Sequence, residues 1–402
     1  MTKDKRLATI FIVAFINLVG FGIIIPLLPY YAETFGADEM DVGFLIASYA
    51  AAQFIGAPIW GRFSDRYGRR NALSISVAGA AIGYIIFGLA NSLTVLFLSR
   101  ILAGFMGGNI SVAQAYIADI TDSKDRAKGL GLIGAAFGLG FVTGPALGGL
   151  LSNWGYAAPA FGAAILDTLN LLAIYFWLPE SLTPEQREYK KQHREPRFGL
   201  DDLIRALKRP LVGSLLNTQF VFSMAFATFT TVFALFAQHR LHLDAQQTGY
   251  VLAYVGVLII LVQAVLIGRL TARLSEGFLL FWSTVLMSFA LLAWAFVGTV
   301  LTLLIVLIPL ALAGGVFRTV VNSVLSKAVE KEEIGGTMGL SASLESFTRI
   351  IAPSFGGFIM GQLGSSAPGI MSAVLLAVFI PYAWKKFMVN PHPVLNSNLQ
   401  EP

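Results

Sequence analysis

The chain has 402 residues, 56% of them hydrophobic and only 13% charged, with a mean hydropathy of +0.71. A soluble domain carries about 25% charge, so a chain this apolar could not cover its surface with polar groups. The absence of cysteine excludes a disulfide scaffold and the 12% aromatic content excludes disorder, which leaves a polytopic membrane protein.

A spanning helix needs about 20 apolar residues. The first half offers six such segments, at about 7–30, 40–61, 72–91, 94–118, 128–152 and 157–178. The first is too long for a signal-peptide core and no small-residue cleavage site follows it, so it reads as an uncleaved span. A polar, basic stretch over 179–210 reads as a cytoplasmic linker, in part an amphipathic surface helix. The second half offers six more spans, at about 211–238, 246–268, 278–298, 301–325, 336–361 and 367–387. The expected organisation is all-α: an N-terminal six-helix bundle over 1–178, the linker, a C-terminal six-helix bundle over 211–390 and a tail over 391–402.

The net charge of +5 bears on topology rather than on nucleic acid. With both termini cytoplasmic, 24 of the 28 Lys and Arg residues fall in cytoplasmic pieces and only Arg240 lies outside. Arg100, Arg318 and Arg349 lie within spans. The positive-inside rule therefore selects an N-in, C-in chain. The halves also repeat. Gly144-Pro145-Ala146-Leu147-Gly148-Gly149 matches Ala352-Pro353-Ser354-Phe355-Gly356-Gly357 at an offset of 208, and Gly61-Arg62-Phe63 matches Gly268-Arg269-Leu270 at 207.

Between spans 2 and 3 the chain reads Gly61-Arg62-Phe63-Ser64-Asp65-Arg66-Tyr67-Gly68-Arg69-Arg70, one acid among four bases in a tight turn. Gly61 and Gly68 permit close approach or unusual backbone angles, and Asp65 suits the positive end of a neighbouring helix. In span 5, Gly131, Gly140, Gly144, Pro145, Gly148 and Gly149 thin one helix face for close packing, and Pro145 removes a backbone hydrogen bond. The first pattern resembles the signature loop of the major facilitator superfamily, with Phe63 in place of the usual Leu. The second resembles the motif of its proton-coupled drug antiporters. Gly20 to Pro29 in span 1 is similar to the first span of tetracycline/proton antiporters.

Several residues take their expected roles from that resemblance. Asp119 is expected to pair with a base of the signature loop, Arg69 foremost, and to latch the cytoplasmic side; a solvated helix-end acid is the alternative. Arg100 in span 4 stands where the family has an arginine implicated in proton coupling, although Ala103 replaces the usual Gln; snorkelling to the outer surface is the alternative. Asn17 stands where relatives often carry an Asp, and Asn cannot titrate. Proton binding then shifts to Asp167 in span 6, Glu345 in span 11, or both, with a structural role for Asp167 equally open. The family's central cavity is lined by spans 1, 4, 7 and 10, which makes Asn17, Asn109, Gln114 and Asn322 its candidates. Phe226 joins them from a phenylalanine stripe in span 7 that is otherwise read as packing.

Glu345 and Arg349 share one helix face. Glu345 lies roughly 13 Å, and Arg318 about 10–11 Å, above the cytoplasmic ends of their spans at 1.5 Å per residue. The three are expected to form a buried network: a proton-linked switch, an anion-binding locus or a static bridge. Nothing points to catalysis. No phosphate-binding loop or metal-ligand spacing occurs, and His193, His239, His242 and His392 lie in loops or tails. The expected function is proton-driven export of a lipophilic small molecule by rocking of the two halves. Export or flipping of an anionic metabolite or lysolipid is the alternative, with uniport, symport and a transport-dead scaffold behind it. The proton gradient is the only expected co-agent, the inner membrane the expected location and a monomer the expected state.

Overall fold

A computed structural model describes residues 3–122, 125–192, 205–330 and 333–395. Arg194, Arg197 and the end of the predicted tail lie outside the described residues. Every described element is helical. In hydrocarbon each backbone N–H and C=O must be satisfied within its own segment, and a helix does so.

The first half runs through α1 (Lys3–Ile24), α2 (Leu28–Glu33), α3 (Glu39–Tyr67), α4 (Arg69–Gly88), α5 (Leu93–Gly107), α6 (Ile110–Ile120), α7 (Arg126–Leu151) and α8 (Ala158–Trp177). α9 (Pro184–Gln192) opens the linker, where a surface helix was expected. The second half runs through α10 (Pro210–Leu241), α11 (Ala245–Leu261), α12 (Ile267–Thr271), α13 (Glu276–Ala295), α14 (Val300–Lys327), α15 (Ile334–Leu363) and α16 (Ala367–Trp384). Local chemistry marks the starts. Asp38 and Asp41 form a capping box at α3, as Thr299 and Thr302 do at α14, and Pro210 opens α10. Among the described residues, eleven helical segments are long and apolar enough to cross a membrane. The twelfth predicted span, α15, has the length at 30 residues but carries Glu345, Arg349 and a run of Gly and Ser.

Three expectations about these elements change. The signature segment is mostly helix rather than loop: 61–67 form the last two turns of α3, and only Gly68 leaves helical geometry, at φ 100°. Nothing lies within 4 Å of where a Gly61 side chain would project, so close approach explains Gly68 and not Gly61. Span 4 is broken between α5 and α6 at Gly108 and Asn109. Span 8 carries a π-turn over Val262–Leu266 between α11 and α12, a distortion that hydrophobic periodicity does not reveal.

The chain divides into two compact units. The first comprises 1–195 together with 243–256, so the start of α11 groups with the first half; the second comprises 196–242 and 257–402. In the first unit α1 packs on α7, α3 on α5, and α4 on α8, around Ile10, Leu73, Val112, Tyr116 and Ile174. In the second, α10 packs on α15, and α13 on α14 and α16. Phe229 and Phe236 meet the Trp294 ring at 4.9 and 4.4 Å, and Phe222 stacks on Phe317 at 3.8 Å. The phenylalanine stripe is therefore largely core.

The span 5 glycines divide between neighbours. Gly140, Gly144 and Gly148 face α1, where a side chain on Gly148 would overlap the Ile23 carbonyl. Gly149 faces α11, with its Cβ position 2.8 Å from the Gln246 carbonyl oxygen and 3.2 Å from Gly249 Cα. Gly131 faces open space. We expect Gly148→Ala to destabilise the purified protein by about 1–3 kcal/mol through overpacking, read as a lower melting temperature. Gly131→Ala should leave it unchanged or raise it, because alanine is the better helix former.

Candidate functional site

The end of the first unit at which α3 stops and α4 starts is organised around Arg69, which is 3% exposed. Arg69 opens α4, and its side chain reaches three acceptors. Nη2 lies 2.8 Å from Asp65 Oδ1, Nε donates to Asp119 Oδ2 at 3.0 Å, and Nη1 donates to Ser64 Oγ. Asp119 also accepts from Ser181 Oγ at 3.0 Å. A buried guanidinium with its charge and donors matched in this way is stable where an unmatched one is not. The Gly61 carbonyl accepts from that Ser64 hydroxyl at 2.7 Å, and Arg66 stacks instead over Tyr67 at 5.1 Å.

Sequence reasoning missed Glu180. Its carboxylate accepts from the first two amides of α4, Arg69 N at 2.8 Å and Arg70 N at 3.2 Å, and from Ser181 N at 3.0 Å. It thus serves as the N-terminal cap that Gly68 cannot supply. A side chain on Gly68 would overlap this carboxylate. The signal was faint: Glu180 is the first acid after span 6, next to Pro179.

The second unit holds a counterpart with its charges exchanged. Glu276 opens α13 and is 2% exposed; it lies 3.1 Å from Lys327 Nζ and accepts from Ser323 Oγ at 2.9 Å. Glu276 stands 207 residues after Arg69, and Lys327 stands 208 after Asp119, the offsets of the internal repeat. At the starts of α10 and α15 in the same unit, Arg209 and Glu333 form a two-pronged pair with both contacts at 2.7 Å. Hydrogen bonds from Arg209 hold the Glu333 carboxyl below its usual range.

Deeper in the first unit, Arg100 is 4% exposed, and its guanidinium lies 4.4 Å from the Tyr49 ring centre and 6.0 Å from that of Phe87. It is turned into the bundle and does not snorkel. Arg100 Nε and Nη1 have no hydrogen-bond partner among the described residues. Asp167 on α8 is 1% exposed, and neither carboxyl oxygen has a partner among them. Its Oδ1 faces α1 at Gly20 beside the ring of Tyr84, and Tyr84 is within electrostatic reach of both Asp167 and Arg100. One turn on, Asn170 donates to the Val13 carbonyl at 3.0 Å.

The cavity candidates separate. Asn17 and Asn109 share a small cavity with Val13, Leu73 and Val77, and Asn109 donates to Ser76 Oγ at 3.0 Å. Gln114 is exposed on α6. Phe226 and Asn322 belong to the second unit and are partly exposed.

Arg318, Glu345 and Arg349 are brought together, but they are not buried. Arg318 Nη2 lies 3.3 Å, and Arg349 Nη2 2.8 Å, from the same oxygen, Glu345 Oε1. The Arg318 and Arg349 side chains are 56% and 44% exposed. The spacing places the three at one level; the helix faces leave the guanidiniums open.

A family model described as the Major Facilitator Superfamily matches residues 10–300 and 215–402. The tetracycline resistance protein, class C, of Escherichia coli is 33% identical over 389 residues, covering 95% of this chain and 97% of its own. Multidrug resistance protein 2 of Bacillus subtilis is 29% identical over 94% of this chain and 96% of its own. Among solved structures, a bacterial homolog of the human lysosomal transporter Spinster superposes with a TM-score of 0.76 at 15% identity, covering 96% of this chain and 98% of that one. The human organic anion transporter MFSD10 superposes with a TM-score of 0.69 at 22% identity, over 95% of this chain and 100% of that one. This chain is therefore a multi-pass membrane transporter and belongs to the major facilitator superfamily.

Proposed function

We propose that this transporter is a proton-driven exporter of lipophilic small molecules that works by alternating access, with both termini cytoplasmic, as a monomer in the inner membrane. The observation that carries the proton reading is Asp167: a wholly buried carboxyl with no donor or cation at either oxygen among the described residues. An ionised carboxylate in such a place is costly, whereas the neutral acid is tolerated. The site thus favours a bound proton until water or a cation reaches it, and Arg100 is a buried cation of the same unit with donors to spare. Asp167 takes over the role that Asn17, which cannot titrate, leaves open. The tetracycline and multidrug resistance relatives support export of apolar substrates.

Coupling follows when proton and substrate favour opposite facing states, because each ligand shifts the equilibrium only by its differential affinity. Arg69, Asp65 and Asp119 hold the cytoplasmic ends of α3, α4 and α6 in register, and we assign them to the gate. The glycine face of α7 holds α1 at backbone distance within the first unit, so these helices move as one body. The three-residue charge group of the second unit adds a net positive charge, and this favours anions among lipophilic substrates.

In proteoliposomes with an internal pH dye, an outward substrate flux should drive proton counterflow. Asp167→Asn should abolish that proton movement and retain downhill substrate exchange; full coupled transport in this variant would remove Asp167 from the role. Arg69→Gln or Asp119→Asn should lower the maximal transport rate by about tenfold or more with less change in the half-saturating substrate concentration, as measured in initial-rate uptake assays.

A further inference from the structure

We propose that Arg318 and Arg349 form a binding site for the negatively charged group of an amphiphilic organic anion. The inference rests on the reading of this chain as a small-molecule exporter and narrows its substrate class. Both guanidiniums converge on one oxygen, Glu345 Oε1, at 3.3 and 2.8 Å. A guanidinium carries five N–H donors in a rigid fork, so most donors of the pair remain uncommitted among the described residues. Two cations around one carboxylate leave a net charge of +1 in the group. A bridge built only to pin α14 to α15 would match its charges and bury them. This one does neither, since both arginine side chains stay about half exposed.

The accessible side of the group cannot be lipid. Arg318 lies nine residues from the end of α14 at Lys327, about 13 Å at 1.5 Å per residue. Arg349 lies fifteen residues from the start of α15 and fourteen from its end. A guanidinium open to hydrocarbon at that depth is strongly disfavoured, so the space before the pair is aqueous and open to solutes. Glu345 holds the forks side by side without neutralising them. A carboxylate, sulfonate or phosphate monoester group can then accept from both.

The surface beside the pair suits an apolar body. One turn before Arg318 on the same face, Gly314 leaves a shallow place walled by the Phe226 ring, 3.5 Å from the glycine's Cβ position, and by Met287 at 3.6 Å. One turn before Phe226 on α10, Phe222 stacks on Phe317, the residue next to Arg318, at 3.8 Å. Asn322, one turn beyond Arg318, adds an uncharged polar group. The arrangement selects a negative head joined to a flat apolar body, and it rejects lipophilic cations by repulsion.

The test is equilibrium binding to the purified full chain in detergent, with a fluorescent aryl carboxylate, its uncharged carboxamide and a lipophilic cation as probes. The carboxylate should bind at least about tenfold more tightly than the carboxamide, the loss expected when charge-assisted bonds are removed, and the cation should bind more weakly still. Arg318→Gln and Arg349→Gln should each remove about that preference and leave carboxamide binding unchanged. Glu345→Gln should keep or strengthen carboxylate binding by several-fold, because the group then carries +2, whereas a static bridge predicts loss of the fold. Equal affinity for carboxylate and carboxamide, or carboxylate binding unaffected by either arginine variant, would overturn the site. A lysophospholipid with a single phosphate competing for the carboxylate probe would identify a lipid headgroup as the natural source of the charge; failure to compete would assign it to a soluble organic anion. Binding is read without transport, so absence of proton counterflow would count against the exporter reading alone.

Discussion

A buried charge is costly unless it is paired, hydrogen-bonded or wet, and the charged side chains singled out in this transporter meet that constraint in different ways. At Arg69 it is met by full pairing, with Asp65, Asp119 and Ser64 around one buried guanidinium. At Arg100 it is met by aromatic faces. At Arg318 and Arg349 it is met by access to water and an incomplete carboxylate partner. Asp167 has no hydrogen-bond or ionic partner among the described residues, and the proton proposal rests on that. The chain thus places groups of graded electrostatic need from the Arg69 end of the first unit into the bundle interiors.

Helix packing sets the frame for these groups. Without a hydrophobic driving force between apolar helices, close association depends on small residues and backbone approach. Gly140, Gly144 and Gly148 let α7 lie against α1, and Gly149 on the adjoining face receives α11 at Gly249. One helix therefore carries two glycine faces, one internal to the first half and one toward the segment 243–256, which groups with that half. A side chain on Gly148 or Gly149 would separate surfaces that otherwise lie at backbone distance.

Much of this was legible in the sequence, because length and hydropathy alone dictate helices in a bilayer and charge scarcity isolates the exceptions. The spacing of Glu345 and Arg349, and the depth of Arg318, placed those three together. Their exposure was not legible, since it depends on how α14 and α15 are rotated rather than on residue spacing. Glu180 escaped for a related reason: it caps a helix more than 100 residues away, and local patterns are silent about such pairing. The break at Gly108 and the π-turn over Val262–Leu266 are single-residue departures from a period that hydropathy averages over. Gly61, conspicuous in the motif, turned out to occupy open helix surface, because the motif's sharp turn needs only Gly68.

The exchanged ion pairs have a consequence for assembly. The two halves are similar enough in sequence to repeat at offsets of 207 and 208, and similar segments invite mismatched packing as a nascent chain enters the membrane. If α4 docked on the helix equivalent to its own partner, Arg69 would meet Lys327. The reciprocal error would set Glu276 against Asp119. Both are like-charge contacts at positions whose native member is nearly inaccessible to solvent. Opposite polarity at equivalent sites therefore disfavours the exchanged pairing in both directions. Reversing either pair takes two substitutions at once, because changing one member alone leaves Arg69 or Glu276 as a buried charge without the counter-ion of its pair.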